Sequence, residues 1–334
     1  LYSLISCILT YMSKKEFLAL AVVLGIAALF RFYDLTSVPL GLYPDEAMNG
    51  SNAQEALATG SFKIFYPENN GREGLFINLQ AIAIALFGNY PWALRGVSAL
   101  FGTLTVFGIY LVGRELFNRK KYTWAPLLAA FFTAASLWHV NFSRIGFRAI
   151  MMPFFASFGL YFLLKGLRKN TILDIVLGGI FIGLGFHTYI AFRFMPFVVA
   201  VPLLITLRSW WQSRRNAATI SQPIPTGWRT VACAPCAVLL FLLITFVTAL
   251  PIGWYFFQHP EDFLGRGGQV SVFAAASPIK EFARSNALTL QMFFWQGDCN
   301  WRHNFACKPE LPPLIAAVFL IGAALALRAL FKTY

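Results

Sequence analysis

The sequence predicts an all-α polytopic membrane protein of about eight transmembrane helices, and three observations support that. Of 334 residues, 58% are hydrophobic and 12% charged, whereas a soluble domain carries about 25% charged residues. Eight windows, at about 17–33, 91–113, 123–139, 149–167, 171–190, 194–210, 231–257 and 312–331, are apolar enough to cross a bilayer, which takes roughly 17–25 residues per helix. The third observation is charge. With a cytoplasmic N-terminus, 15 of the 27 basic residues fall on the inner side but only three of the 14 acids, Glu16, Glu115 and Asp174. Such an excess of Lys and Arg in short inner loops is the positive-inside pattern. It accounts for the net charge of +13 without nucleic acid, which would call for basic residues gathered on one face.

Taken in order, Lys14 and Lys15 ahead of the apolar Phe17–Phe32 resemble a signal peptide. No small-residue cleavage site follows, so an uncleaved anchor is expected. A first outer loop, about 34–90, opens with "PDEAMNGSNAQEAL", which reads as a helix start. It turns through "ENNGREG" and ends in an apolar run, Leu75 to Gly88, too short to span and suited to a helix lying in the interface. The stretch from Arg208 to Arg229 is polar, Pro-containing and basic, and reads as a cytoplasmic linker. A second outer loop covers about 258–311. The whole, 1–334, reads as one transmembrane domain with no repeat of 20–50 residues, which disfavours a transporter built from duplicated halves. The chain begins with Leu and stops just after its eighth window, so a further C-terminal part is expected.

Cys233 and Cys236 make a lone CxxC with no second pair, which weighs against zinc or redox chemistry. Cys299 and Cys307 share the second outer loop, where an oxidising compartment would permit a disulfide.

Polar residues gather at the outer ends of the helices. The first loop holds Asp45, Glu46, Glu68, Arg72 and Glu73. "HVNFSRIGFRAI" brings His139, Arg144 and Arg148, and the two arginines, four apart, would share one helix face. "HTYIAFRFMPF" brings His187, Tyr189 and Arg193, and "QGDCNWRHNF" brings Asp298, Arg302 and His303. Blander readings stand beside these. The arginines serve equally well as interfacial anchors, His187 better suits a packed, hydrogen-bonded residue than a ligand, and Asp45 is a fair helix N-cap. Cations and acids beside a bilayer suit a sugar linked by phosphate to a polyprenyl lipid. Arginine offers a donor fork for the phosphate, and with phosphate as leaving group one carboxylate suffices as general base.

These residues also resemble a family. A first span, then "PDE", a long outer loop with an interfacial helix, and "ALRGVSALFGTLTVFGIYLVGRELF" are similar to membrane glycosyltransferases of the C-type fold (GT-C), among them protein O-mannosyltransferases and lipid A aminoarabinose transferases. The resemblance implies an inverting transfer of a hexose or pentose from a polyprenyl-phosphate donor to a lipid, glycan or protein acceptor. It implies work at the outer face of the plasma (inner) membrane. It maps the base onto Asp45, with Glu46 orienting or assisting. The substrate contacts it suggests are Arg72, Glu73, Arg144, Arg148, Tyr189, Arg193, Asp298, Arg302 and His303. Where mannosyltransferases carry a His-Pro-Pro element, this chain has "GREGLF". No metal or other cofactor is expected; the alternative is a divalent cation on oxygens of Asp45, Glu46, Glu73 and Asp298. The rival class is a transporter or flippase for a lipid-linked or anionic substrate, which needs ionisable residues in mid-span.

Overall fold

The computed structural model describes residues 12–117, 124–216 and 233–333; the segment before Met12 and most of the expected linker lie outside them. Contacts divide the chain into two units, Leu1–Asp262 and Phe263–Tyr334.

The first unit is helical apart from one hairpin. Helix α1 (Lys14–Phe32) starts at Ser13, whose Oγ accepts from the Glu16 N–H at 3.1 Å. Helix α2 (Pro44–Thr59) follows with proline at its first position, where the missing N–H costs nothing. It stops at Gly60, which takes the left-handed backbone (φ 70°) that glycine adopts without strain. Strands β1 (Phe65–Tyr66) and β2 (Arg72–Glu73) pair antiparallel, Phe65 opposite Glu73 and Tyr66 opposite Arg72. Asn69, Asn70 and Gly71 turn between them, all at positive φ. Helix α3 (Leu75–Phe87) matches the short apolar run; at 13 residues it reaches about 20 Å, less than a bilayer core. Gly74 begins it because a side chain there would strike the Lys63 and Ile64 carbonyls, and its own N–H donates to Ile64 O at 2.7 Å.

Then come α4 (Pro91–Leu116), α5 (Ala125–Ala135) and α6 (Leu137–Arg144), the last two bent 56° at Ser136. A 3-10 turn, Arg148–Ile150, leads into α7 (Met151–Lys169), then α8 (Ile172–Gly185). A second, Ile190–Phe194, leads into α9 (Met195–Asn216), followed by α10 (Ala234–Gln258). The boundary between units falls in α11 (Pro260–Val270). The second unit continues with α12 (Pro278–Phe294) and α13 (Pro313–Thr333).

Among the described residues four helices are long and apolar enough to cross a membrane, and five if the bent α5–α6 pair is one span. This makes the chain an integral membrane protein but does not reach eight spans. Helix α1 carries Lys14, Lys15, Glu16 and Arg31, and α8 has only 14 residues. In α13 the apolar stretch is short, Pro313–Arg328.

Helix α7 joins two apolar cores. Its Met151, Phe155 and Leu163 pack with Ile175 and Ile182 of α8 and Phe241 of α10. Its Phe158 and Tyr161 pack with Leu20 and Ala27 of α1, Val106 of α4 and Ala130 of α5. In lipid, helices associate through close packing of small residues rather than hydrophobic exclusion. Helix α8 shows this: a Cβ on Gly178 would lie 3.0 Å from Leu163 N, and one on Gly179 would lie 2.8 Å from Ile244 of α10.

Candidate functional site: the first loop and the helix ends around it

The adjacent carboxylates in the first turn of α2 part company. Glu46 is buried; its Oε2 accepts from the Tyr43 N–H at 2.9 Å and its Oε1 accepts from Arg95 Nε at 2.9 Å. The helix is therefore capped through Glu46, and the N-cap reading of Asp45 is replaced, since Tyr43 holds that position. Asp45 is half-exposed and turned to the hairpin turn, where Asn69 Nδ2 donates to its Oδ1 at 2.6 Å. Burial raises the pKa of Glu46, opposed by the hydrogen bond and charge of Arg95.

Arg95 is the residue the sequence reading missed. Wholly buried, it donates to Leu35 O at 3.1 Å, to Pro39 O at 2.8 Å and to Gly41 O as well as to Glu46. One side chain on α4 thus fixes the strand of loop that delivers Asp45. The signal was a charge inside an apolar window, which is costly there unless paired.

The other arginines fall into two groups. Arg72 is buried and satisfied within the loop: Nη1 donates to Asn49 Oδ1 at 2.7 Å, Nη2 to Asn52 Oδ1 at 2.6 Å and Nε to Glu68 O at 3.2 Å. Burial lowers its pKa, countered by Glu68 and Asp45. Arg144 donates to three carbonyls at the end of α1 and just after it, Phe30, Tyr33 and Val38, at 2.6–2.8 Å. These two brace backbone and neighbouring helices. Arg144 and Arg148 do not share a helix face. Helix α6 ends at Arg144, Ile145 leaves helical geometry (ψ 76°), and Arg148 starts the next turn.

Arg148 and Arg193 form the second group. Arg148 Nε lies 3.3 Å from Glu73 Oε2, its Nη2 donates to Gly71 O at 3.2 Å, and its guanidinium lies 5.4 Å from the Tyr189 ring centroid. Arg193 lies over Phe256 at 5.1 Å and feels the charge of Glu73. His187, also within reach of the Glu73 charge, shares a hydrogen bond with Thr248 O at 3.0 Å, as a packed histidine would. Arg148 and the Tyr189 ring thus stand at one buried acid, Glu73, whose charge also reaches Arg193 on its Phe256 ring. The Gly71 carbonyl ties them to the turn whose Asn69 holds Asp45.

In the second unit, Asp298 Oδ2 lies 2.8 Å from His303 Nδ1 and its Oδ1 accepts from the Asn300 N–H at 2.8 Å. Arg302 Nε donates to Asn300 Oδ1 at 2.9 Å. Cys299 and Cys307 are bonded, and so are Cys233 and Cys236. Of the four acids weighed for a cation, Glu46 and Glu73 are in ion pairs with arginine and Asp298 belongs to the other unit. Among the described residues His259, Glu261 and Asp262 bring ligand atoms within 4.8 Å of one another, but Asp262 already accepts from the Tyr255 hydroxyl at 2.7 Å.

Residues 75–221 match the family model for dolichyl-phosphate-mannose-protein mannosyltransferases. Over that stretch the chain is similar to this family. The family segment holds Arg95, Arg144, Arg148, Tyr189 and Arg193; Asp45, Glu46, Arg72 and Glu73 precede it. A solved structure, ArnT from Cupriavidus metallidurans bound to undecaprenyl phosphate, is similar at 18% identity and a TM-score of 0.47, covering 73% of this chain and 42% of that one. The chain thus spans about two fifths of that protein's length. No curated protein matches.

Proposed function

We propose that the protein is a membrane glycosyltransferase moving a sugar from a polyprenyl-phosphate donor to an acceptor hydroxyl, with inversion and with Asp45 as general base. The observation that carries this is the linked pair of groups just described: Arg148 and Arg193 around Glu73, joined through the hairpin turn to a half-exposed carboxylate. The guanidiniums take the donor phosphate, for which their planar fork is suited. The acceptor oxygen attacks the anomeric carbon, the bond from that carbon to phosphate breaks with its electron pair leaving on phosphate, and Asp45 takes the acceptor's proton. Glu46 acts as a positioning residue, since its oxygens cap α2 and hold Arg95. Charge on the leaving phosphate is assigned to the arginines and not to a metal. The reading sets the N-terminus in the cytoplasm and this site at the outer face of the plasma membrane, an orientation supported by the excess of basic residues on the inner side of the eight-window layout.

The test supplies membranes containing the protein or Asp45→Asn with radiolabelled polyprenyl-phosphate sugars and follows label into lipid, glycan and protein fractions. General-base catalysis contributes about 10²–10⁴-fold, so at equal abundance the variant should transfer at least about a hundredfold more slowly. Transfer at the parent rate would remove Asp45 from the mechanism.

A further inference from the structure

The second unit contains a cavity that the reaction above does not use. It measures about 340 Å³ and is lined by Leu288, Thr289, Gln291 and Met292 of α12 and by Gln296, Gly297 and Asp298 after it. That is at the small end of ligand pockets, which run roughly 300–1,000 Å³, with room for one or two sugar rings. Its polar groups are a hydroxyl, two carboxamides and a carboxylate, and among the described residues no lysine or arginine lines it. Arg302 is turned to Asn300, and the Lys308 ammonium lies 5.2 Å over the Phe305 ring.

Such a lining rejects phosphate and suits a neutral ligand rich in hydroxyls. Carboxamides donate and accept at once, and a carboxylate oxygen has lone pairs to spare after one hydrogen bond. Asp298 uses each oxygen once, toward Asn300 N–H and His303. Two large aromatic faces belong to the same loop. Trp295, 77% exposed, directly precedes Gln296, and Trp301, 81% exposed, follows Asn300. Exposed indoles of this kind offer an apolar face and a polar edge at once.

The loop is built to hold its shape. The Cys299–Cys307 bond closes it, Gly297 N–H donates to Cys307 O at 3.0 Å, and Asn304 Nδ2 donates to Lys308 O at 2.6 Å. Glycine is required at 297, since a side chain would strike Lys308 O and the Asn304 amide. A polar cavity on a braced loop costs little ordering when a ligand enters.

We infer that this cavity is a subsite for a neutral carbohydrate, with Asp298, Gln291, Gln296 and Thr289 bonding sugar hydroxyls. Resting on the transferase reading, it makes the acceptor an uncharged glycan. The experiment uses the full chain in lipid nanodiscs, with mannotriose and maltotriose as probes and mannose 6-phosphate as the charged comparison, read by saturation-transfer NMR. At least one trisaccharide should bind in preference to mannose 6-phosphate. Asp298→Asn and Thr289→Val should each weaken it at least tenfold while undecaprenyl phosphate binding stays within twofold. Mass mapping of the Cys299–Cys307 bond reports whether the loop has formed, and Thr289→Val, which leaves the loop's own bonds in place, keeps the test open if Asp298→Asn does not fold. The inference is overturned if neither trisaccharide binds, if mannose 6-phosphate binds more tightly, or if folded variants bind as the parent does. Saccharide binding without any transfer activity would sink the transferase reading and leave the subsite. Transfer with no saccharide binding and an unchanged acceptor KM in Thr289→Val would do the reverse.

Discussion

At one end of α4 and α7, Arg95 pairs with Glu46 and Arg148 with Glu73; at the other, Arg168 pairs with Glu115 and Lys165 with Asp174. The two ends have similar charges and different construction. Lys165 and Asp174 lie nine residues apart, flanking the short connection from α7 to α8, and Arg168 puts Nε and Nη2 on one Glu115 oxygen at 2.9 and 2.6 Å, its side chain 54% exposed. These are staples between neighbouring helix ends. At the loop end both acids come from the first loop, 49 and 75 residues before their cations in sequence, and every partner is buried. The cations there also reach backbone carbonyls of the loop. The same ion-pair chemistry therefore joins helices at one end and shapes a loop, with its half-exposed carboxylate, at the other.

The largest effect should come from breaking the buried pair. Removing one partner of a buried ion pair costs about 3–5 kcal/mol, whereas an exposed pair contributes about 0–1 kcal/mol. Arg95→Ala, which strands a carboxylate in a pair buried on both sides, should therefore lower unfolding stability in detergent more than Arg168→Ala, where only the Glu115 side is buried, and Glu46→Leu combined with Arg95→Met should recover much of the loss. Equal losses for the two alanine variants would mean that the ends do not differ as described.

Function should separate them next. Arg148→Lys keeps the charge and loses the fork, so on the proposed function it should weaken polyprenyl phosphate binding about tenfold, or about 1.4 kcal/mol. Lys165→Arg at the opposite end should change it by less than about twofold. An effect of similar size, on stability alone, is expected at Gly71, where φ is +79° and a Cβ would sit 2.6 Å from the Phe65 ring. Gly71→Ala should cost about 1–2 kcal/mol from the left-handed backbone alone. Gly25→Ala, with nothing within 4 Å of its Cβ on a helix, should stabilise slightly. If the two behave alike in thermal unfolding, the turn is not held as tightly as its geometry implies.

How much of this could be read in advance differs by residue. The apolar windows, the helix at "PDE" and the short helix at Leu75 were legible because period and length are local properties, whereas the shared loop of Cys299 and Cys307 only permitted the bond that the structure forms. The number of spans was not, since charges at the ends of α1 and the shortness of α8 show only once helix bounds are fixed. Asp45 and Glu46 were given different roles only through the family resemblance, and nothing local in the sequence showed which of them is buried. Their division follows from Arg95, 49 residues after Glu46, and long-range pairing leaves no local pattern. Arg144 and Arg148 were misjudged for a similar reason. The spacing of four assumed a continuous helix, and the break at Ile145 has no proline or glycine at the position itself.

A third kind of buried acid sharpens the contrast, because Glu310 lies in the second unit without the arginine that Glu46 and Glu73 have. It is 8% exposed, its Oε1 has no hydrogen-bond partner, and burial, with the charge of Asp298, pushes its pKa up to about 7. The folded chain thus keeps a proton that the unfolded chain releases near its ordinary value of 4.5. Stability from this group is complete below about pH 4.5 and is lost as pH rises through about 7. Glu310→Gln removes the titration and leaves the volume. Hydrogen exchange of the amides joining Met292 O to Glu310 N and Phe293 O to Leu311 N should then report a variant-to-parent protection ratio that climbs between those two pH values and levels off above. A ratio independent of pH would mean that Glu310 is ionised throughout, and that burial without a cation costs this carboxyl nothing.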